Sequence, residues 1–305
     1  GAFWMKALAA DGGGIACIHN PATGREKTIP QRITVTDGPR RRVVVVGGGP
    51  AGLEAARVSA LRGHRVQLFE AAEKLGGQVL VAARAQGRAE LGEVTGWLSR
   101  EVHAAGVAVE LGAFVEPAAI AALGAEVVID ATGGLPSSGE VDDPDGLLVS
   151  TWDVLAGAAT PQGQVLLYDE HGGHQGLSCA ATLAGRDGVA LTIATPERAF
   201  GIELGASNRP QYLEPCYEKG VVLRPDTRLV AVAREGNRIR ATLRNAYTGK
   251  AENMVADHVV MEAGTTPNTA LYDALAPLAT NHGAMDLGLF AAGKAQPLGA
   301  KGFAL

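Results

Sequence analysis

Cysteine is scarce. The 305 residues hold three, Cys17, Cys179 and Cys216, far apart and odd in number. That excludes a disulfide framework and leads us to expect a reducing, cytoplasmic setting. No apolar run reaches the roughly 18 residues that a membrane helix needs, and the start, GAFWMKALAADGGG, has no secretory leader pattern. Positive charge is not concentrated either. Lys and Arg total 27 against 32 Asp and Glu, for a formal net charge of -5. Arg40 to Arg42 form a short cluster, read as a solvated strand entry. With aromatics at 5% and no basic stripe interleaved with them, neither nucleic acid nor a membrane is an expected partner.

Constellations for side-chain catalysis are equally thin. No nucleophile elbow or Ser/His/Asp arrangement is present. His171 and His174 flank two glycines without a third ligand nearby, so they read as turn residues rather than a metal pair. Cys216, in EPCYEKG, has no C-x-x-C partner, which excludes a redox dithiol. Cys179 falls on an apolar helix face and reads as core.

Glycine, by contrast, is plentiful at 41 residues. It follows no Gly-X-Y period, so tight turns where backbone approaches a ligand are its expected use. Hydrophobic residues make up 47% and charged residues 19%, enough for two modest globular domains. Residues 1–38 are Gly- and Pro-rich and read as an extended arm. From Arg42 the chain cycles through strand, turn and helix. RVVVV is a strand buried on both faces, residues 51–62 a helix, and HRVQLFE a second strand ending in Glu70. Leu91, Val94, Leu98 and Val102 share one helical face. EVVIDATGG is a later strand, and the polar SSGEVDDPDG suggests a crossover near residue 150. A second cycle starts at Gln164: QVLLYD, the turn HGGHQG, the helix LSCAATLAG and the strand VALTIAT. TRLVAVARE and NRIRATLRN read as an antiparallel pair. A helix is expected near residues 269–275, and a short strand at GLFAAG. Two such cycles predict an α/β fold with two Rossmann-like doubly wound domains, the second inserted in the first. The expected division is 39–150 with 262–305 for one domain and 151–261 for the other.

Val43 to Gly52, VVVVGGGPAG, carries the chemistry. Gly47, Gly49 and Gly52 fit G-x-G-x-x-G: a tight turn, close approach to a pyrophosphate, and close helix–strand packing. The following helix, opening at Pro50 and Ala51, aims its N–H groups and positive dipole end at phosphate. Glu70 ends the next strand, near the roughly 20-residue distance at which an acid meets the adenosine ribose. FAD, NAD or bare ADP would all fit this half.

The stretch VVVVGGGPAGLEAARVSALRGHRVQLFEAAEKLGGQV resembles the FAD-binding opening of the two-dinucleotide-binding-domain flavoproteins. The turn Gly76, Gly77, Gln78 and the strand end Ala131, Thr132, Gly133 follow in the order of that superfamily. The arm segment IACIHNPATGRE is similar to the linker of the trimethylamine dehydrogenase and 2,4-dienoyl-CoA reductase group, nearest its members that demethylate N-methylated amino acids and betaines. The resemblance covers nearly the whole chain, but only the C-terminal half of the family. It implies FAD, or alternatively ADP, in the first domain. It implies a 4Fe-4S cluster whose last ligand is Cys17, the other ligands lying elsewhere. It also implies FMN, with the amine or N-methyl amino acid substrate, on a TIM barrel supplied by a missing portion or a partner subunit, and hence an oligomer.

Two departures from the family pattern stand out. In YDEHGGHQG, Asp169 and Glu170 stand where phosphate needs bare backbone, so the second domain reads as degenerate towards NAD(H). GLFAAGKAQP resembles the return strand that ends in Gly-Asp near the flavin, which puts Gly293 and Lys294 in the cofactor set with lysine in place of the acid. The reading is therefore an FAD-binding electron-transfer component of a flavin/iron–sulfur oxidoreductase. The alternatives are a non-redox ADP-binding docking subunit and an NAD(P)H-dependent flavin reductase.

Overall fold

The computed structural model describes residues 17, 20, 22–24, 26–27, 29, 31–205, 207–291, 294, 296–297 and 302–305. They divide into two compact units. The first comprises described residues within 12–80, Glu90–Gly134 and Pro267–Leu305; the second contains Val81–Ala89 and Leu135–Thr266. The chain thus leaves the first unit directly after the ATGG strand end and returns at Pro267, not near residues 150 and 262 as the polar stretch suggested. The reason is local. Asp142 donates its N–H to Val230 O, and the Asp143 carboxylate accepts the N–H groups of Leu147 and Leu148, so the polar stretch is folded into the second unit.

The first unit is built on a parallel sheet of β1 (Arg42–Val46), β2 (Arg65–Phe69), β3 (Ala108–Glu110) and β4 (Val127–Asp130) in the order β3-β2-β1-β4. The valine run of β1 sits between β2 and β4, with Val43 in register with Val66 and Val127. β-Branched side chains fill both faces of such a strand. One face packs Val43 and Val45 against Leu53 and Ala56 of α1 (Pro50–Leu61) and Leu98 and Val102 of α2 (Leu91–Ala104). The other packs Val44, Val46 and Val128 against Ile120 and, from the chain's return, Leu271, Leu275 and Phe303. Pro50 opens α1, where its fixed φ and missing N–H cost nothing. The expected helix near 269–275 is observed over Ala270–Leu275.

The end of the chain differs from expectation. Residues 287–291 form a helix, Leu287–Ala291, with the Asp286 carboxylate accepting the Leu289 N–H, instead of a strand at GLFAAG. The segment that runs beside β4 is 303–305: Ala304 bridges Val127 in parallel, Val128 N–H donates to Ala304 O, and Ala304 N–H donates to Glu126 O.

The second unit holds a five-stranded parallel sheet. Its strands are β5 (Leu148–Ser150), β6 (Gly163–Asp169), β7 (Val189–Ala194), β8 (Val222–Arg224) and, after a meander, the strand over His258–Glu262. That last strand lies between β5 and β6, and the order continues to β7 and β8. Helices α3 (Thr151–Ala156), α4 (His174–Ala184) and α5 (Arg209–Glu218) cover one face, whose core is formed by Val165, Leu167 and Ile193 from the strands with Leu177 and Leu183 from α4. The antiparallel meander Thr227–Glu235, Arg238–Asn245 and Ala251–Ala256 supplies Leu229, Ala241 and Leu243 to the other face, against Leu166 and Tyr168. Among the described residues, no helix is long and apolar enough to cross a membrane.

Candidate nucleotide-binding site

The three glycines do separate jobs. Gly47 has φ 107°, a left-handed value that favours glycine, and a side chain there would collide with Ala131 O. A Cβ on Gly52 would collide with Gly47 O, so α1 settles directly on the strand end. Gly49 faces Gly77 with bare backbone on both sides: a Cβ on Gly77 would lie 3.0 Å from Gly49 Cα. Gly76 donates its N–H to Gly48 O at 2.8 Å, which ties the GGQ turn to the glycine turn. The first helical N–H donors, those of Ala51 and Gly52, have no intrahelical acceptor.

Glu70 is fixed by its own neighbours. Its carboxylate accepts the Gly48 N–H at 2.6 Å and the Ala72 N–H at 2.7 Å. Across the sheet, Ala131 N–H donates to Val46 O, and Thr132 N–H to the Asp130 carboxylate. Gln78 Nε2 donates to Gly134 O at 3.0 Å.

A cavity of about 720 Å³ opens here, at the carboxyl ends of the strands, where open parallel sheets bind nucleotides. Gly47, Gly49, Pro50, Ala51, Glu70, Gly77, Gln78, Ala131, Thr132 and Gly133 all border it. Gly52 does not; its role is the helix–strand contact. Lys294 is outside the lining as well, and its N–H is donated to Leu289 O. It stands after a helix, and the segment beside β4 lies further on. Gly293 lies outside the described residues.

Sequence reasoning missed one wall and one flank. Ala113, Phe114, Val115, Glu116 and Pro117 form the wall beyond Glu70, and Phe114 is 81% exposed there. Asn268, Ala270 and Leu271 form the flank, held because Asn268 N–H donates to Gly133 O. Neither has a periodic signal. The T-T-P-N turn after the strand His258–Glu262 was the available cue for the flank.

The second glycine turn is built differently. Asp169 ends β6 at 1% exposure. One carboxylate oxygen accepts the Gly172 N–H at 2.9 Å; the other is buried with no hydrogen-bond partner. Burial, helped by the charge of Glu262, pushes this carboxyl up to about 6. His174 Nδ1 lies 2.9 Å from Tyr212 OH and 3.1 Å from Arg88, and the Arg88 guanidinium stacks on the Tyr212 ring. Burial and that guanidinium hold His174 below the usual imidazole range.

Among the described residues, no three His, Cys, Asp or Glu side chains gather to hold an ion. Cys179 and Cys216 are buried in the second unit's core, and burial pushes the Cys179 thiol up to about 12. Cys17 is exposed.

A family model described as an NAD(P)-binding Rossmann-like domain matches residues 45–101. N,N-dimethylglycine/sarcosine dehydrogenase of Chromohalobacter salexigens is 42% identical over 291 residues, which cover 93% of this chain and 42% of that protein. A probable N-methylproline demethylase of Rhizobium meliloti is 41% identical over 89% of this chain and 40% of its own length. Histamine dehydrogenase from Rhizobium sp. 4-9 shares the fold, with a TM-score of 0.78 at 24% identity over 92% of this chain and 44% of that one. The chain spans about two fifths of the length of the curated relatives it matches. Over the part it covers, the chain is similar to these oxidoreductases, and residues 45–101 mark a Rossmann-like dinucleotide-binding segment.

Proposed function

We propose that this chain binds FAD in its first unit and serves as the electron-transfer part of an oxidoreductase that demethylates an N-methylated amine or amino acid. The observation that carries the reading is the cavity over the glycine turn. Its lining joins Gly47 and Gly77, where a Cβ would meet main chain, to Gly49, Phe114, Val115, Gln78 and Gly133. A volume of about 720 Å³ is in the range of cofactor sites, and a lining that extends beyond the glycine turn to Gln78 and to residues 113–117 supports a dinucleotide over ADP alone. Gly49, Ala51 and the α1 N-terminus would take the pyrophosphate, Glu70 the adenosine ribose, and Gln78 with Thr132 and Gly133 the flavin side. FAD would supply the redox step; the chain would bind and orient it. No catalytic side chain is assigned.

The rest of the reading concerns what this chain meets. An FMN barrel with the substrate, on the same polypeptide or a partner subunit, would supply the demethylation chemistry. Cys17, exposed on the arm, would be the last thiolate of a 4Fe-4S cluster whose other ligands come from outside these residues. A cytoplasmic oligomer accords with this.

The test is the visible spectrum of the purified protein, followed by denaturation and mass identification of the released nucleotide. FAD with flavin absorbance supports the proposal. Released ADP without flavin colour replaces it with the docking-subunit reading. Rapid bleaching of the flavin by NADH, with the hydride donor bound to the second unit, would favour the flavin-reductase reading.

A further inference from the structure

The two units repeat one local plan, strand–turn–helix, and the repeat is an internal comparison. In the first unit β1 ends at Val46, α1 opens at Pro50, and the third helical residue is Gly52. In the second unit β6 ends at Asp169, α4 opens at His174, and the third helical residue is Gly176. Both helices need a glycine at that place, but for different reasons. A Cβ on Gly52 would meet the main chain of Gly47. A Cβ on Gly176 would lie 2.5 Å from Asp169 Cγ.

Beside the third helical residue the second unit therefore holds a carboxylate, where the first holds the main chain of Gly47 and the methyl of Ala131. Asp169 takes the Gly172 N–H of the turn for itself, and its other oxygen is buried without a partner. Glu262, in register with Asp169 on the neighbouring strand, is 3% exposed and accepts from Thr151 OH and the Gly264 N–H. Two buried acids thus stand side by side on neighbouring strands, with Asp169 against the start of α4. A pyrophosphate at a helix N-terminus depends on free N–H donors and an uncompensated dipole.

We propose that Asp169 is a built-in anion, supplying from the chain itself the negative charge a pyrophosphate would bring, and so closing the second unit to NAD(H) and NADP(H). Asp169 is then the residue that decides which of the two Rossmann-type units takes a nucleotide. This role belongs to the second unit and does not depend on FAD in the first.

The probe is ADP-ribose, which carries the pyrophosphate without the nicotinamide. It is titrated at pH 8 into the full-length protein with its resident nucleotide in place, and hydrogen exchange is followed in peptides covering 170–177. The wild type is expected to show no protection there up to millimolar ADP-ribose. Asp169→Gly and Asp169→Ala are each expected to bind it at least ten-fold more tightly and to protect those amides. Protection of 170–177 in the wild type overturns the proposal. So does a variant that melts like the wild type and still shows no gain. Asp169→Ala guards against a Gly variant that fails to fold, since it removes an unpaired buried charge while keeping the backbone less free. Failure of the FAD reading is read separately, in the nucleotide released on denaturation.

Discussion

Gly52 and Asp169 answer the same structural question in opposite ways, and each makes a measurable prediction. A methyl on Gly52 would strike Gly47 O, so Gly52→Ala must lift α1 off the strand end. Overpacking of this kind costs about 1–3 kcal/mol, and the shift moves the N–H donors of the turn. The expected outcome is a folded protein that retains at least ten-fold less nucleotide, read as nucleotide per chain after gel filtration. Full retention would show that the helix start does not position the phosphates.

For Asp169 the sign follows from burial. Its carboxyl is raised from 3.8 to about 6, first by desolvation. Between those values the folded state holds a proton that the unfolded chain has released, so stability falls as pH rises through that window and the cost is complete above about pH 6. Glu262 on the neighbouring strand adds to the shift, while the Gly172 and His171 N–H groups and the His171 charge oppose it. A rise of that size corresponds to about 3 kcal/mol. Asp169→Asn should therefore stabilise the protein by up to that amount at pH 8, and the gain should shrink towards zero by about pH 4. Urea midpoints of both proteins at pH 4, 6 and 8 check this; a gain that does not vary with pH would refute it.

At the scale of elements, the sequence was most legible where one strand or one turn carried its own signal. The valines of β1 had to be buried on both faces, and an alternating pair around Gly236 had to be a hairpin; both are as read. GLFAAG misled because a short apolar run has no period long enough to separate strand from helix. Asp286 capping the Leu289 N–H decided for helix. The wall at 113–117 was illegible for another reason: Ala113 is placed by a bond from its N–H to Glu70 O, a contact that no local pattern records. The capping box of α3 is the clearest local device that reasoning passed over. Ser150 Oγ accepts the Asp153 N–H at 3.1 Å, and the Asp153 carboxylate accepts the Ser150 N–H at 2.9 Å. Ser150→Ala is expected to cost about 1 kcal/mol, seen as a lower urea midpoint with nucleotide content unchanged. A loss of nucleotide would mean that α3 matters to more than the second unit's core.

For the whole molecule, the division at Gly134 and Pro267 gives each unit its own sheet and its own core. The candidate nucleotide contacts fall in the first unit alone, since every residue lining the cavity over the glycine turn lies within it. A ligand that binds only the folded state stabilises what it binds by RT ln(1 + [L]/Kd), about 2.7 kcal/mol at one hundred times Kd. Stripping the nucleotide should therefore lower the melting transition that reports on the first unit and leave the second unit's transition where it was. Trp97 on α2 and Trp152 on α3 lie one in each unit and serve as separate reporters in single-tryptophan variants. Adding back FAD should restore the Trp97 transition in proportion to its concentration, whereas ADP-ribose should leave the Trp152 transition unmoved in the wild type and raise it in Asp169→Ala. If both reporters move together when the nucleotide is removed, the two units unfold as one, and the stability of the second unit depends on the nucleotide as well.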